Sequence, residues 1–149
     1  MSRRAVAPVV GVVLMLAVCV ALAGIVGSFV VGVGGQTEDA PSAVITADLD
    51  GNEITLTHRG GDPLDVTELT VRVLVDGSPL DQQPDVPGHS SGFRYFSGDF
   101  SRWANEPWQT GETAGFEIAA SNAPQPSDGS RVTVMIYADG KTVATARVR

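Results

Sequence analysis

The chain has 149 residues, 43% of them hydrophobic, with a formal net charge of −7 and one cysteine, and this length allows about one ordinary domain. The single cysteine excludes an internal disulfide framework and a cysteine-rich zinc site, and the acidic balance argues against nucleic acid as a partner, because phosphate binding needs a basic surface. Mean hydropathy is nevertheless slightly positive, at +0.10, which indicates two segments of unlike chemistry.

The first segment, residues 5–35, contains no charged side chain, and Ser28 is its one conventional polar residue. Arg3 and Arg4 precede it, whereas the chain after Gln36 carries all 17 acids and eight of the ten basic residues, a balance of −9. As a helix, residues 5–35 would be about 46 Å long, against about 30 Å of hydrocarbon in a bilayer. We therefore predict a single transmembrane helix, with the arginines in the cytoplasm and the acidic part outside.

Three other interpretations of this N-terminus remain open. A cleaved secretory signal would have an apolar core of about 7–15 residues and a small-x-small cleavage site, which do not fit this run. A twin-arginine lipoprotein would use Ser2-Arg3-Arg4 and a lipobox ending at Cys19, but Val18 is bulky for the position before a lipidated cysteine; otherwise Cys19 is a small apolar filler in the helix. The third interpretation is a plain single-span anchor.

The order of residues in this segment is more specific than its hydropathy. Residues 3–15 read Arg-Arg-Ala-Val-Ala-Pro-Val-Val-Gly-Val-Val-Leu-Met, and this order resembles the N-terminus of archaeal type IV pilin-like proteins, especially the haloarchaeal ones. The resemblance implies a class III-type signal that a prepilin peptidase cuts near Ala5–Val6, with Arg4 as the charged residue before the cut. Where bacterial pilins carry Glu at the fifth mature position, this chain has Val10.

The resemblance also implies that one helix anchors the subunit in the membrane and later packs in the centre of a filament. Pro8 would then lie in the first turn of the mature helix, where its missing N–H costs nothing. Four small residues follow at spacings that line one helix face, namely Ala17, Ala21, Gly24 and Ser28. Such a stripe allows close packing of helices in lipid, although small residues are also common in membrane helices in general.

The sequence divides into a basic leader (1–5), a transmembrane and filament-core helix (6–35), a hinge (36–41) and an extracellular domain (42–149). The last part has a period-two pattern with hairpin signals at Asp50-Gly51-Asn52 and Asp139-Gly140. The predicted strands are Ala43–Leu49, Glu53–His58, Leu69–Val75, Phe116–Ala119, Arg131–Tyr137 and Thr142–Val148. The fold class is therefore α+β, with a single long N-terminal transmembrane helix followed by an all-β antiparallel sandwich of the immunoglobulin-like kind.

Residues 79–111 lack this periodicity and hold six of the nine aromatic residues. A long connection of this kind is usually functional or disordered, and its aromatic content argues against disorder. The rings either cap an open end of the sandwich core or form a contact surface for subunits or for adhesion, since Tyr, Trp and Arg favour interfaces. The candidate contact residues are Tyr95, Phe96, Trp103 and Trp108.

The sequence assigns no catalytic, metal or cofactor residue. His58 and His89 are far apart in the chain and Cys19 lies in the apolar run, so the sequence has neither a zinc spacing nor a Cys–His pair. A nucleophile elbow, a Walker motif and a dinucleotide motif are likewise missing. The run 48–53 lacks the remaining ligand positions of a calcium loop and is interpreted as a hairpin tip. We therefore expect no enzyme and no cofactor.

The acidic residues are better interpreted together. Nine arginines against one lysine, with 17 acids and a pI near 4.6, fit a surface adapted to high salt, because a Debye length of about 3 Å at molar salt screens its self-repulsion. This predicts a halophilic source.

The leading functional hypothesis is a structural subunit of an archaeal type IV pilus-like surface filament, used for adhesion or cell–cell contact. It implies membrane lipid, a prepilin peptidase and other pilins or copies of itself as partners, with a cytoplasmic N-terminus and a cell-surface filament after assembly. The alternative is a monomeric, single-span, membrane-anchored extracellular β-sandwich that binds a ligand through residues 79–111. A membrane-tethered enzyme is disfavoured, because the sequence contains no catalytic constellation.

Overall fold

The computed structural model describes residues 3–34 and 39–149, with side chains for 6–28 and 39–149. The chain forms two compact units, Met1–Asp39 and Ala40–Arg149, and the second is called the C-terminal domain below. The predicted hinge at 36–41 falls partly on residues 35–38, which lie outside the described residues.

The first unit is a single helix, α1, which spans Arg3–Gly34 and contains Pro8. Its stretch Val6–Ser28 is long and apolar enough to cross a membrane, and every side chain in that stretch is exposed. A helix satisfies its own backbone hydrogen bonds, so an uncharged run of this length is compatible with lipid on all sides. The predicted apolar N-terminal helix is confirmed.

The C-terminal domain consists of two antiparallel four-stranded sheets, with strand orders β1-β2-β6-β5 and β4-β3-β7-β8. A short 3-10 turn, Val66–Glu68, precedes β3. The strands are β1 Ala43–Asp50, β2 Glu53–Gly61, β3 Leu69–Val75, β4 Ser78–Pro79, β5 Phe93–Gly98, β6 Thr113–Ile118, β7 Val132–Ala138 and β8 Lys141–Val148.

This connectivity is that of an immunoglobulin-like sandwich. In constant-type immunoglobulin domains the first, second, fifth and fourth strands (ABED) form one sheet, and the third, sixth and seventh (CFG) form the other. Here β1, β2, β6 and β5 take the first set of positions, and β3, β7 and β8 take the second, with β4 added beside β3. The predicted helix-plus-sandwich fold is confirmed.

Turn chemistry fixes the register of three hairpins. Asp76-Gly77 joins β3 to β4 with φ values of 51° and 84°, and Asp139-Gly140 joins β7 to β8 with φ values of 49° and 75°. Two successive positive φ angles define the type I′ turn that matches the twist of paired strands, and Asp-Gly is a favoured sequence for it. Gly51, at φ 61°, turns β1 into β2.

The core lies between the two sheets and follows the period-two pattern of the strands. On β3 and β7 buried residues alternate with less buried ones, because successive strand side chains point to opposite faces of the sheet. The buried set with the least exposure combines aliphatic side chains from both sheets with three aromatic rings: Ile54, Leu56, Leu64, Val71, Val73, Phe100, Trp108, Phe116, Ile118, Val132, Val134 and Ile136.

The six predicted strands are present, with ends shifted by a few residues, but the interpretation of residues 79–111 as lacking strands was wrong. Strand β5 (Phe93–Gly98) lies inside this range, and its register shifts between Phe93 and Tyr95. An irregularity of this kind adds a residue to one strand and breaks the alternation of side chains. The period-two signal is therefore absent from the sequence of a strand that is present in the fold.

Two amide side chains, the buried Asn122 and the half-buried Gln83, hold the loop that leads from β4 to β5. The Asn122 amide oxygen accepts from Gln82 N–H (3.0 Å), and its nitrogen donates to the carbonyls of Gln82 (2.9 Å) and Gly92 (3.2 Å). The Gln83 amide oxygen accepts from Val73 N–H (2.7 Å), and its nitrogen donates to the Val73 carbonyl (3.2 Å). The Gln83 side chain thus makes with Val73 the same pair of bonds that the backbone of a neighbouring strand would make with β3.

Candidate functional site

The predicted small-residue stripe lies on one exposed face of α1. Ala17, Ala21, Gly24 and Ser28 are all exposed and all within the helix. The Ser28 hydroxyl donates to the Gly24 carbonyl at 2.8 Å, so the one polar side chain of the stripe is satisfied within its own helix. The face therefore presents small side chains and no unpaired donor to lipid or to a neighbouring helix.

The predicted processing residues Arg4, Ala5 and Val6 lie in the first turns of α1. Val6 is exposed, whereas the side chains of Arg4 and Ala5 lie outside the described ones. Because α1 begins at Arg3, Pro8 is inside the helix of the intact chain. A proline there removes one backbone hydrogen bond and crowds the carbonyl four residues earlier, that of Arg4.

The aromatic residues of segment 79–111 divide into core and surface. Phe93 and Phe96 pack against the core as partly buried side chains, and Phe100 is fully buried between Trp108 and Phe116, with ring centroids 5.2 and 6.3 Å apart. Most rings of this segment therefore cap the core, which is the first of the two interpretations.

Trp108 is a correction to the predicted contact surface. Its side chain is fully buried, and its indole N–H donates to the Glu112 carbonyl at 3.1 Å. It also packs edge-on against the buried His58 ring, with centroids 5.6 Å apart. The His58 Nε2 lies 2.9 Å from the Asp62 carbonyl, which only accepts, so this nitrogen carries the proton. Trp108 belongs to a satisfied core cluster and presents nothing to a partner.

Tyr95 and Trp103 remain on the surface. Trp103 is 74% exposed and Tyr95 42%, and the Arg102 guanidinium stacks over the Trp103 ring at 4.7 Å from its centroid. Arg94 pairs with Glu117 at 3.0 Å. Beside these residues, His89, Arg94, Tyr95, Phe96 and Arg102 line a surface pocket of about 350 Å3, together with Gly88, Ser90 and Phe93. We call this the arginine pocket.

A row of acidic residues crosses the outer face of the sheet β1-β2-β6-β5. Asp50 is directly opposite Glu53, Glu53 is directly opposite Glu117, and Glu117 is opposite Tyr95. Like charges in opposite positions destabilise a sheet. The Glu53 carboxylate, which accepts from the Tyr95 hydroxyl, raises the pKa of Tyr95, as do burial of the ring and the charge of Glu117.

Three aspartates have pKa values displaced by their surroundings. Hydrogen bonds from the Thr67 side chain and backbone hold the pKa of Asp65 below its ordinary value, and a bond from the Arg131 N–H does the same for Asp76. Burial, with the charges of Glu112 and Glu106, raises the pKa of Asp99. Over the described ranges 3–34 and 39–149, no three His, Cys, Asp or Glu side chains lie together in a way that could hold a metal ion.

Comparison with known proteins bears on the N-terminal segment. Residues 4–45 match the family described as "Archaeal Type IV pilin, N-terminal", which covers α1 and reaches the start of β1. The resemblance of this segment to archaeal type IV pilins is confirmed, and its haloarchaeal detail stays a prediction. The matched residues include both the Pro-Val-Val-Gly run at 8–11 and the long uncharged stretch of helix that contains it.

Two further proteins resemble larger parts of the chain. An uncharacterized protein from Archaeoglobus fulgidus is 34% identical over 95 residues, which is 62% of this chain and 64% of that protein, so the match spans less than two thirds of the relative. The archaellum periplasmic stator protein FlaG from Sulfolobus acidocaldarius superposes with a TM-score of 0.45 and 15% identity, over 72% of this chain and 97% of that one. A structural likeness at this level says nothing about a shared partner or function.

The sequence did not reveal the arginine pocket or the acidic row. Glu53 and Glu117 are 64 positions apart, and only the pairing of β2 with β6 places them side by side. Arg94 and Arg102 are both visible in the sequence as interface-type residues. Their convergence on one pocket depends on the irregular strand β5 and on the loop after it.

Proposed function

We propose that this protein is a structural subunit of an archaeal type IV pilus-like surface filament and has no catalytic role. The observation that carries the proposal is the match of residues 4–45 to the archaeal type IV pilin N-terminal family, on a chain whose second unit is an immunoglobulin-like sandwich. In this proposal α1 holds the subunit in the membrane before assembly, and the same helix packs among other pilin helices afterwards.

The surface of α1 supports this double use. From Val6 to Ser28 every side chain is exposed and none is charged, so this stretch needs either lipid or other apolar helices around it. The stripe of Ala17, Ala21, Gly24 and Ser28 offers a face on which helices approach closely. Replacing Ala21 by Leu should prevent assembly while leaving the chain in the membrane fraction.

Ala23 provides the matched control for this experiment, because it is an equally exposed alanine on a different face of the same helix. Ala23→Leu should leave filaments intact, as seen by electron microscopy of cells that carry either variant. Filaments of normal number and length in the Ala21→Leu cells would show that the stripe is incidental.

Processing by a prepilin peptidase between Ala5 and Val6 is the second part of the proposal. Pro8 supports this position. In the intact helix it lies in the interior, whereas after the cut it would be the third residue and would fall in the first turn, where no N–H partner is lost. Arg3 and Arg4 would stay on the cytoplasmic side with the leader, which places the C-terminal domain outside the cell.

The mature N-terminus tests processing directly. Mass spectrometry of the chain purified from its own cells should give a first residue of Val6, and Ala5→Glu should leave the leader attached, because a large charged side chain replaces the small residue before the cut. A wild-type chain that still begins at Met1 or Ser2 would contradict the processing step. Electron microscopy of cells with and without the chain tests whether it builds a filament.

Adhesion to surfaces or to other cells is the role that the exposed aromatic residues favour. Trp103 and Tyr95 are available on the C-terminal domain, and aromatic side chains with arginine are enriched at binding surfaces. The same observation favours the second candidate function, a monomeric membrane-anchored binding module. The two candidates differ in the helix experiment, since a monomer has no use for the small-residue stripe and Ala21→Leu would leave its binding unchanged.

We also propose a high-salt environment for the C-terminal domain. The support is the balance of −9 in residues after Gln36 together with the acidic row of Asp50, Glu53 and Glu117. Among the described residues, Glu117 is the one member of this row that pairs with a cation, Arg94. Unfolding free energy should rise between low and molar salt, and equal values at both would contradict this part of the proposal.

A further inference from the structure

The outer face of the sheet β1-β2-β6-β5 has opposite charge at its two edges. Strand β1 presents Asp48 and Asp50 as exposed side chains, and we call this pair the acidic edge. Strand β5, at the other edge of the same sheet, borders the arginine pocket with Arg94 and Arg102. Carboxylates therefore lie at the β1 edge of this sheet, and the β5 edge has Arg94 on the strand and Arg102 on the loop that follows it.

The arginine pocket contains no acidic residue among those that line it, although the domain as a whole is strongly acidic. Arg94 is partly neutralised by Glu117. Arg102 is held by stacking on Trp103, and across the described residues no carboxylate lies within 4 Å of it. A guanidinium group held by an aromatic ring, with its edges free, is well arranged to accept a carboxylate from outside.

Asp48 and Asp50 form no ion pair among the residues described. Two arginines lie in this region: Arg59, which donates to the Thr46 hydroxyl at 3.1 Å, and Arg149, which borders a small pocket with Leu49 and Gly51. Asp50 also faces Glu53 across the hairpin, so a cation brought to this edge would relieve an existing repulsion.

We propose that the acidic edge of one copy binds the arginine pocket of the next copy in the assembled filament. This inference rests on the filament function proposed above. The contact joins two different surfaces of the same chain, and a heterologous contact of this kind repeats without closing when its rotation does not complete a ring. It therefore suits a helical filament, in which each C-terminal domain would use both edges at once.

A second copy fits the pocket better than an unrelated ligand because its complement is already present on this chain. The charges at the two edges of one sheet are opposite, and Tyr95 and Trp103 beside the pocket supply the exposed aromatic surface typical of protein interfaces. Charge complementarity of this type fixes register and partner choice more than it adds affinity. The edge contact would thus set which neighbour each domain meets, and the helices would supply most of the binding.

A charge exchange in the full-length chain tests the contact in cells that produce the filament. Asp50→Arg and Arg102→Glu should each reduce the number of filaments per cell about tenfold, as expected from about 1.4 kcal/mol lost per contact. The combined variant restores an opposite pair and keeps the net charge of the natural chain, so it should recover filaments. Arg94 is left unchanged because its reversal would also break the ion pair with Glu117.

Two exposed residues away from both edges serve as controls. Arg72→Glu, on β3 of the other sheet, makes the same charge change as Arg102→Glu, and Asp81→Arg, in the loop after β4, matches Asp50→Arg. Both should leave filament number unchanged. If the controls lower it as much as the edge variants, or if the combined variant is no better than the single ones, the edge contact is refuted.

Disulfide cross-linking covers the case in which a reversed chain does not accumulate. In a Cys19→Ala background, a chain carrying both Asp50→Cys and Arg102→Cys should form a ladder of covalent multimers on oxidation of filaments, whereas either cysteine alone should give only monomers. Filaments without a ladder would refute the edge contact and leave the filament function standing. Dimers from a single cysteine would indicate a symmetric contact and refute it as well. Absence of filaments from the natural chain would refute both proposals.

If Arg102→Glu abolishes attachment of cells to a surface while filament number is unchanged, and the cysteine pair gives filaments without a ladder, the arginine pocket is a site for an external anionic ligand. That result would overturn the contact between copies.

Discussion

Glu53 is the residue at which the cost of the acidic surface is best measured. It lies between Asp50 and Glu117 in directly opposite positions, and in the part of the chain that the structure describes it forms no ion pair with a cation. Glu53→Gln removes the central charge and keeps the shape of the side chain and an oxygen that accepts from the Tyr95 hydroxyl. We expect this variant to be more stable than the natural chain at low salt.

The size of the effect follows from the spacing of opposite residues. Two like charges about 5 Å apart in water repel by about 0.8 kcal/mol. A Debye length of about 8 Å at 0.15 M salt reduces this to about half, and one of about 3 Å at 1 M reduces it to about a fifth. Arg94 pairs with Glu117 and largely cancels its charge, so Asp50 is the neighbour that counts. Glu53→Gln should therefore stabilise the domain by about 0.4 kcal/mol at 0.15 M salt and by about 0.2 kcal/mol at 1 M.

Urea unfolding of the full chain in a non-ionic detergent measures this difference. Both tryptophans, Trp103 and Trp108, lie in the C-terminal domain, so tryptophan fluorescence follows that domain without a signal from α1. Asp81→Asn is the control, since it removes one exposed negative charge outside the row. The reasoning is refuted if Glu53→Gln gains no stability over the control at 0.15 M salt, or if its advantage does not shrink as salt is raised.

The remaining predictions use the same unfolding assay. Asn122→Ala should cost about 1.5–4 kcal/mol, because it removes three hydrogen bonds to the backbone of Gln82 and Gly92, each of which contributes about 0.5–1.5 kcal/mol. A loss below about 0.5 kcal/mol would contradict this. Trp108→Ala should cost about 3–5 kcal/mol and Trp103→Ala less than about 0.5 kcal/mol, with the other tryptophan as reporter; similar losses would contradict the division into core and surface. The pKa of Asp76 is lowered in the folded state, so the ionised carboxylate stabilises the fold above the ordinary pKa of 3.8, and this contribution is lost as pH falls below it. Asp76→Asn should therefore make the unfolding free energy depend less on pH in the acid range. The pKa of Asp99 is raised, so its contribution has the opposite sign and Asp99→Asn should improve stability above pH 3.8.

Much of the fold could be predicted because its signals are local. The type I′ hairpin at Asp139-Gly140 follows from two residues that tolerate positive φ, and β3 follows from alternation over Leu69–Val75. The N-terminal segment is predictable for the same reason, since an uncharged run and a short residue order need no knowledge of distant contacts.

The parts that could not be predicted depend on pairings between distant residues. Tryptophan is a residue type that is common at interfaces, which is why the sequence predicts Trp108 as a contact residue. Its backbone pairs with the distant Leu64 and its indole N–H bonds the nearby Glu112 carbonyl, and both bonds place the ring in the core. Strand β5 has an irregular register that hides its period. The acidic row exists because β2 lies beside β6, and that neighbour relation is a property of the sandwich topology rather than of either strand.

Gln83 closes an edge that would otherwise attract other chains. The backbone of β3 at Val73 is engaged by a side-chain amide from its own loop, and the Leu80 N–H completes the cover at 3.1 Å from the Val73 carbonyl. An uncovered strand of alternating valines is a template on which a second strand can add. Strand β4 pairs with β3 at Leu74 and Val75, and at Val73 the cover is a side-chain amide and one loop N–H, which present no further strand edge in turn. Pairing between copies of this domain is thereby blocked at Val73.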